Sequence, residues 1–266
     1  MRISVVTISF NQAKYLEEAI LSVLNQDHDD IEYIVVDPGS TDGSREIIEK
    51  HAGDIQHVIF EKDNGPADGL NKGFEKATGD ILAFLNSDDI FLPGAFRRMA
   101  RAFEEQPDSD VISGHALIID GNGKPINRLY SRPFSPRRFV YRAGVLAQQA
   151  TFFRQDIFRK AGGFNPANRI AWDGELWLDF SLAGARFRII DEFLAGFRVY
   201  GDNISGLGAS YLSEVDMFFE EMFRKVYGRE RTPLDKVMSR AMNLGYYINH
   251  PSRLYYRLKH GNVLSS

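Results

Sequence analysis

The chain has 266 residues, 44% of them hydrophobic, which is enough to bury a full core as one large α/β domain carrying an appendage. It contains no cysteine. Disulfides, zinc–thiolate centres and a cysteine nucleophile are thereby excluded, His and carboxylates remain as metal ligands, and a reducing cytosol is the expected compartment. The formal net charge of −4 argues against nucleic acid as a partner, and it hides an asymmetry: residues 224–266 hold nine Lys/Arg and two Asp/Glu, a local +7 that leaves −11 for the rest.

The opening "MRISVVTISFNQ" has too short an apolar run for a secretory leader and reads as a first strand. A helix is expected over about 14–25, then the strand "IEYIVVD", a helix over 44–51, the strand "IQHVIFE", a helix over 67–76, the strand "ILAFLN" and a helix over 94–105. Short β-branched runs alternating with helices imply right-handed βαβ units, and strands without polar alternation imply a parallel sheet covered on both faces. Beyond Val111 longer strands and a "DGNGK" turn point to the second half of a mixed sheet, and from about residue 208 the pattern is helical only. No segment reaches the roughly 18 consecutive apolar residues of a membrane span.

The dinucleotide fingerprint and the P-loop are both missing: "SFNQAKY" follows the first strand. In open parallel sheets the ligand lies outside the carboxyl ends of the strands. Those ends carry Ser9 and Asn11, then Asp37 with "PGSTDGS", then Asn86, Ser87, Asp88 and Asp89. Adjacent like charges repel where a core strand surfaces. A solvated turn capping the helix near Pro93 would account for Asp88 and Asp89 alone, but three carboxylate- or amide-bearing turns on one sheet edge make a site. Asp37, immediately after a buried strand, can accept the imide N–H of uracil or thymine or an N–H of guanine.

The blocks "VVTISFNQAKYLEEAILSVLNQ", "YIVVDPGSTDGS", "NGPADGLNKGFEKATGDILAFLNSDD", "QQATFFRQDIFRKAGGF" and "WDGELWLDFSLAG" stand in an order that resembles the family 2 glycosyltransferases of GT-A fold. The resemblance covers roughly residues 1–205 and implies a Rossmann-like, mainly parallel mixed sheet. Residues 1–110 would form the nucleotide-sugar half, 111–205 the acceptor half and 206–266 a helical appendage. It implies that Asp37 reads the base, with Thr7, Ser9, Asn11, Gly39 and Ser40 beside the nucleotide and Asp68 and Asn71 helping to close over it. "NSD" takes the place of the D-x-D motif, so that Asn86 and Ser87 meet the donor while Asp88, with Asp89 beside it, holds Mg²⁺ or Mn²⁺. Clustered carboxylates are stabilised by such an ion. Asp173 matches the catalytic base of an inverting transfer from a nucleotide-sugar donor, UDP-linked by default, to a glycan or glycolipid hydroxyl. Departures from the pattern are Asn86 for the first aspartate, Gln148 for a frequent His, and Tyr200 for a His that would add a metal ligand. Two alternatives stay open at this stage, a sugar nucleotidyltransferase and a silent nucleotide-sugar-binding module.

Two basic segments complete the reading. "RLYSRPFSPRRFVYR", from Arg128 to Arg142, has five arginines and no acid, and either meets the acceptor or pairs with the acidic body. In the tail, Leu234, Val237, Met238, Ala241 and Met242 follow the spacing of one amphipathic face. Packing on the chain's own domain, on a second subunit in a homodimer, or on the cytoplasmic leaflet are the occupants expected for it.

Overall fold

The computed structural model describes residues 1–201 and 209–260; the expected boundary at 205/206 lies outside the described residues. Alternation within the early strands decides which layer each residue enters. In β1 (Ile3–Ile8), β2 (Ile31–Val36) and β4 (Ile81–Asn86), Val5, Tyr33, Val35, Ala83 and Leu85 enter one core, while Val6, Ile34, Val36, Leu82 and Phe84 enter the other. The first core is closed by α1 (Ala13–Leu24), α2 (Ser44–Lys50) and α4 (Ala95–Glu105) through Leu16, Ile48 and Phe96. The second is closed by α3 (Pro66–Lys76), by α6 (Gln155–Ala161) and by α7 (Trp172–Leu182) through Leu70, Ile157 and Trp177. Each such Leu, Ile or Phe, fully buried, contributes about 1.5–3 kcal/mol, so both layers are needed to hold the sheet. Gly73 lets α3 approach closely, because a Cβ there would collide with Val6.

The remaining strands are β3 (His57–Ile59), β5 (Ile90–Phe91), β6 (Val111–Ile119), β7 (Pro125–Leu129), β8 (Thr151–Arg154) and β9 (Phe187–Arg198). They order as β3-β2-β1-β4-β8-β6-β9-β5, with β7 on β6. Pairings β1–β2, β1–β4, β2–β3 and β6–β9 are parallel, whereas β4–β8, β6–β8, β6–β7 and β5–β9 are antiparallel. The expected mainly parallel first half and mixed second half are both present, as a GT-A-type sheet. β5 was not foreseen: two residues long, it is held by β9, with Ile90 opposite Gly196 and Phe91 opposite Ala195.

Three helices end the described chain: α8 (Ala209–Tyr227), α9 (Pro233–Asn249) and α10 (Pro251–His260). α8 and α9 share a core with α5 (Pro136–Val140) and α7, built on Phe139, Leu178, Phe218 and Phe223. The arginine-rich segment supplies the rest of this joint. The Arg132 guanidinium lies 4.5 Å over Tyr246 and donates to Asn243 Oδ1 at 2.9 Å and Tyr247 Oη at 2.7 Å. Arg142 lies 4.4 Å over Phe219, and Arg128 5.2 Å over Tyr256. Arg128 and Arg132 bind the tail helices, mostly through aromatic faces, which corrects the expectation for these two, whereas Arg142 also pairs with Asp216 of the acidic body as expected. Asp235 secures α9 by accepting from Thr232 N–H, the Tyr141 hydroxyl and the Arg229 guanidinium at 2.6–2.9 Å.

Candidate active site

The carboxyl ends of β1, β2 and β4 open into a cleft of about 940 Å³ that also reaches the start of α7. Its lining includes Ser9, Asn86, Ser87, Asp88 and Asp173. Two buried polar atoms facing this region have no protein partner, Ser9 Oγ and Asn86 Oδ1. A buried oxygen without a partner calls for one, and these two belong to residues that line the cleft.

Asp88 is half-buried at the end of β4 and is clamped from the return of β9. The Tyr200 hydroxyl lies 2.9 Å from Asp88 Oδ2 and 3.1 Å from Gln12 Oε1, so one proton is shared between two acceptors. Burial first, and then the Asp88 charge, push the Tyr200 phenol up, keeping it a donor at all ordinary pH. Arg198, fully buried, donates through Nε to the Asp88 carbonyl at 2.7 Å and through Nη2 to Glu18 at 2.6 Å. Sequence reasoning passed over Arg198, although it stands two residues before Tyr200. A charged residue ending an apolar strand was the available signal.

Asp89 is placed differently from the expectation. It is buried behind the cleft lining, Oδ1 accepts from Arg198 N–H at 2.8 Å, and Oδ2 accepts from Gln149 Nε2 at 2.8 Å. Burial, followed by the Asp88 charge, pushes its carboxyl well above the usual range. It is an anchor between β4 and β9. Asp88 and Asn86 thus provide the oxygens that would hold a hard divalent cation, with phosphate and water oxygens completing the shell. That fits a single-carboxylate site, and among the described residues no three His, Cys, Asp or Glu are grouped for a metal.

The nucleotide-side residues divide in the same way. Asp37 is fully buried; Oδ1 accepts from Gly39 and Ser40 N–H at 3.0 and 2.8 Å, and Oδ2 from the Ser40 hydroxyl at 2.5 Å. Arg45 Nε adds a contact at 3.2 Å. Gly39, at φ 145°, permits the turn. Asn11, at φ 53°, donates its N–H to Ser40 Oγ at 2.8 Å and accepts from Thr41 N–H at 2.9 Å, tying the first two strand ends together. Asp42 accepts from Ser44 N–H at 3.0 Å and also takes the first N–H of α1, from Ala13 at 2.9 Å.

Three other expected contacts are engaged in the fold. Thr7 is fully buried with its hydroxyl accepting from Tyr33 at 3.0 Å. Asn71 uses both amide atoms on the Phe164 backbone, each at 2.9 Å. Asp68 accepts from Asn64 N–H at 2.8 Å near the start of α3. Asp63, which was overlooked, lines the cleft instead, and burial, aided by the Asp68 and Asp37 charges, raises its carboxyl. Lys62 and Arg169 stand exposed at the same cleft.

Asp173, the second residue of α7, is half-buried and faces the cleft together with Trp172. Burial raises its carboxyl above the ordinary value, against the opposing pull of the N–H groups of Gly174 and of its own residue. A carboxylate moved upward is a stronger base. Glu175, two residues further along α7, is not available for the same work. It accepts from Asn168 Nδ2 at 2.7 Å and Asn165 Nδ2 at 3.2 Å, and Lys225 Nζ lies 3.6 Å away. Gln148 also lines the cleft, its amide donating to the Phe84 carbonyl at 2.8 Å.

A mainly parallel mixed sheet whose strand ends open onto one cleft is the arrangement of the GT-A fold. The family model described as glycosyl transferase family 2 matches residues 4–161, and the chain belongs to that family. It is 34% identical over 230 residues to the uncharacterized glycosyltransferase alr2836 of Nostoc sp., covering 80% of this chain and 70% of that one. It is 33% identical over 208 residues to the putative teichuronic acid biosynthesis glycosyltransferase TuaG of Bacillus subtilis, covering 76% and 81%. Among solved structures, S. aureus TarS 1-349 in complex with UDP-GlcNAc aligns with a TM-score of 0.64 at 20% identity, over 97% of this chain and 74% of that one. The mannosyltransferase PcManGT from Pyrobaculum calidifontis, in complex with GDP-Man and Mn²⁺, aligns with a TM-score of 0.65 at 18% identity, over 98% and 76%. Both show a shared fold. Asp173 lies beyond the segment matched by the family model, so its role is argued from geometry.

Proposed function

We propose that this chain transfers a sugar from a nucleotide-sugar donor, UDP-linked by preference, to an acceptor hydroxyl with inversion, in the assembly of a cell-surface polysaccharide or glycolipid. The observation that carries the reading is the placement of two carboxylates, Asp88 and Asp173, on one cleft from different elements, with Ser9 Oγ and Asn86 Oδ1 left for a ligand. Ser9, Asp63 and the Asp37 turn receive the nucleoside, and residues 1–110 are its half of the molecule. The half formed by 111–205 brings Asp173 to the acceptor, with 206–266 as a helical appendage. Asp173 takes the proton from the acceptor hydroxyl as that oxygen attacks the anomeric carbon on the face opposite the leaving nucleotide. One displacement inverts the centre. Asp88 and Asn86 would hold Mg²⁺ or Mn²⁺, which would supply positive charge to offset the negative charge growing on the departing diphosphate. The likeness to TuaG, a putative teichuronic acid biosynthesis enzyme, and to TarS and PcManGT, solved with UDP-GlcNAc and GDP-Man, supports a polysaccharide setting and a nucleotide-sugar donor.

The test is a panel of UDP-, dTDP- and GDP-sugars in a nucleoside-diphosphate release assay with Mn²⁺ and with EDTA. Release of nucleoside diphosphate from one donor, dependent on the ion, is expected. Release of inorganic diphosphate, or binding without turnover, would overturn the assignment.

A further inference from the structure

Helices α9 and α10 present two apolar faces, and the fold uses one of them. Met238 and Met242 pack toward Phe139 and Phe223, and Tyr246 and Tyr247 are buried beneath Arg132. On the opposite side of α9, Leu234, Val237, Leu244 and Ile248 are 70, 58, 61 and 68% exposed, and Ala241 between them is exposed too. Their alternating spacing of three and four keeps them in one stripe, roughly 20 Å long at 1.5 Å per residue. α10 adds Tyr255 and Leu258, 68 and 77% exposed. The tail pattern read as one face in the sequence is therefore split: Met238 and Met242 turn in, Leu234, Val237 and Ala241 turn out.

Charge decides between occupants. Lys236, Arg240 and Lys259 are exposed on these two helices and make no ion pair among the described residues. After Asp235, which is buried against Arg229, the chain contains no Asp or Glu. A second copy laid against this stripe would bring cations to cations, whereas an anionic headgroup layer complements them. No helix of the described residues is long and apolar enough to cross a membrane. We propose that the exposed stripe of α9, with Tyr255 and Leu258 of α10, binds an anionic lipid bilayer, lying in the plane of its headgroups with the apolar side chains inward and Lys236, Arg240 and Lys259 at the phosphates. This goes beyond the transfer reaction and stands independently of the donor.

The experiment is co-sedimentation of the full chain with phosphatidylcholine vesicles, with and without phosphatidylglycerol, at low and high salt. Binding is expected only to the vesicles containing phosphatidylglycerol and is expected to be reversed by salt. The pairs Leu244→Asn with Ile248→Asn, and Lys236→Glu with Arg240→Glu, should each weaken partitioning by about tenfold or more, since each cation near such a surface matters several-fold. Circular dichroism and Tm should stay at wild-type values, the altered side chains being exposed. Wild-type protein that stays in the supernatant at low salt would overturn the proposal, as would binding undiminished in both variants. So would a dimer in sedimentation velocity that Leu244→Asn with Ile248→Asn dissolves, which would assign the stripe to a second copy.

Discussion

Replacing Asp173 by Asn keeps the shape of the side chain and removes its basicity. General-base assistance is worth a factor of about 100 to 10,000 in rate, and losing the lower figure already corresponds to about 2.7 kcal/mol of barrier. The upper part of that range is expected here, because Glu175 is held by Asn165, Asn168 and Lys225 and cannot take over. A second consequence separates chemistry from misfolding. Burial raises the Asp173 carboxyl, so its ionised form is disfavoured by the fold at neutral pH, and that cost is relieved as pH falls through the folded-state value. Removing the charge should therefore raise Tm at neutral pH while activity collapses. In the wild type, transfer should decline on the acid side at a pH above the ordinary aspartate value, and this acid limb should be missing from the residual activity of the variant. Transfer to acceptor, followed by nucleoside diphosphate release across pH, and scanning calorimetry provide the readouts. Near-normal transfer by Asp173→Asn, or a Tm that falls together with activity, would refute the reasoning.

Other outcomes follow from neighbouring groups. Asp88→Ala should abolish the Mn²⁺-dependent part of donor binding: in a thermal-shift assay the stabilisation of about 2.7 kcal/mol expected at 100 times Kd should disappear while the ligand-free Tm holds. Glu175→Ala leaves the Asn165 and Asn168 amides without their buried acceptor and should lower stability by about 1–3 kcal/mol in urea titration, with kcat close to wild type at permissive temperature. Asp235 is held far below the usual carboxylate range by Arg229 first, then by Tyr141 and Thr232, so its stabilisation is complete above the unfolded-state value and fades as pH drops below it. Asp235→Asn should accordingly lower Tm at pH 7, with the gap to wild type narrowing only in acid.

Much of the first half was legible because its signals are local. Unbroken apolar runs such as Ile81 to Leu85, each followed by a helical pattern, state a two-sided parallel sheet, and polar residues at three successive strand ends state a site. The roles of individual side chains were less legible. Asp88 and Asp89 are identical neighbours, yet consecutive residues leaving a strand point in opposite directions, so one faces the cleft and the other is buried under β9. Thr7 and Asn71 fit a binding pattern but spend their polar atoms on Tyr33 and Phe164, partners 26 and 93 residues away.

The sequence by itself determined the βαβ order, the edge of the sheet where the cleft opens, the family, and the cationic tail, since composition, periodicity and motif spacing act over a few residues at a time. Tertiary structure alone decided that Arg198 and Tyr200 return to hold Asp88, that Arg128, Arg132 and Arg142 clasp the tail, and which apolar residues of α9 remain in water. The physical reason is common to all three. Direction and partner of a side chain are set by which distant backbone arrives opposite it, and a helix with two apolar faces cannot choose between them until one has been packed.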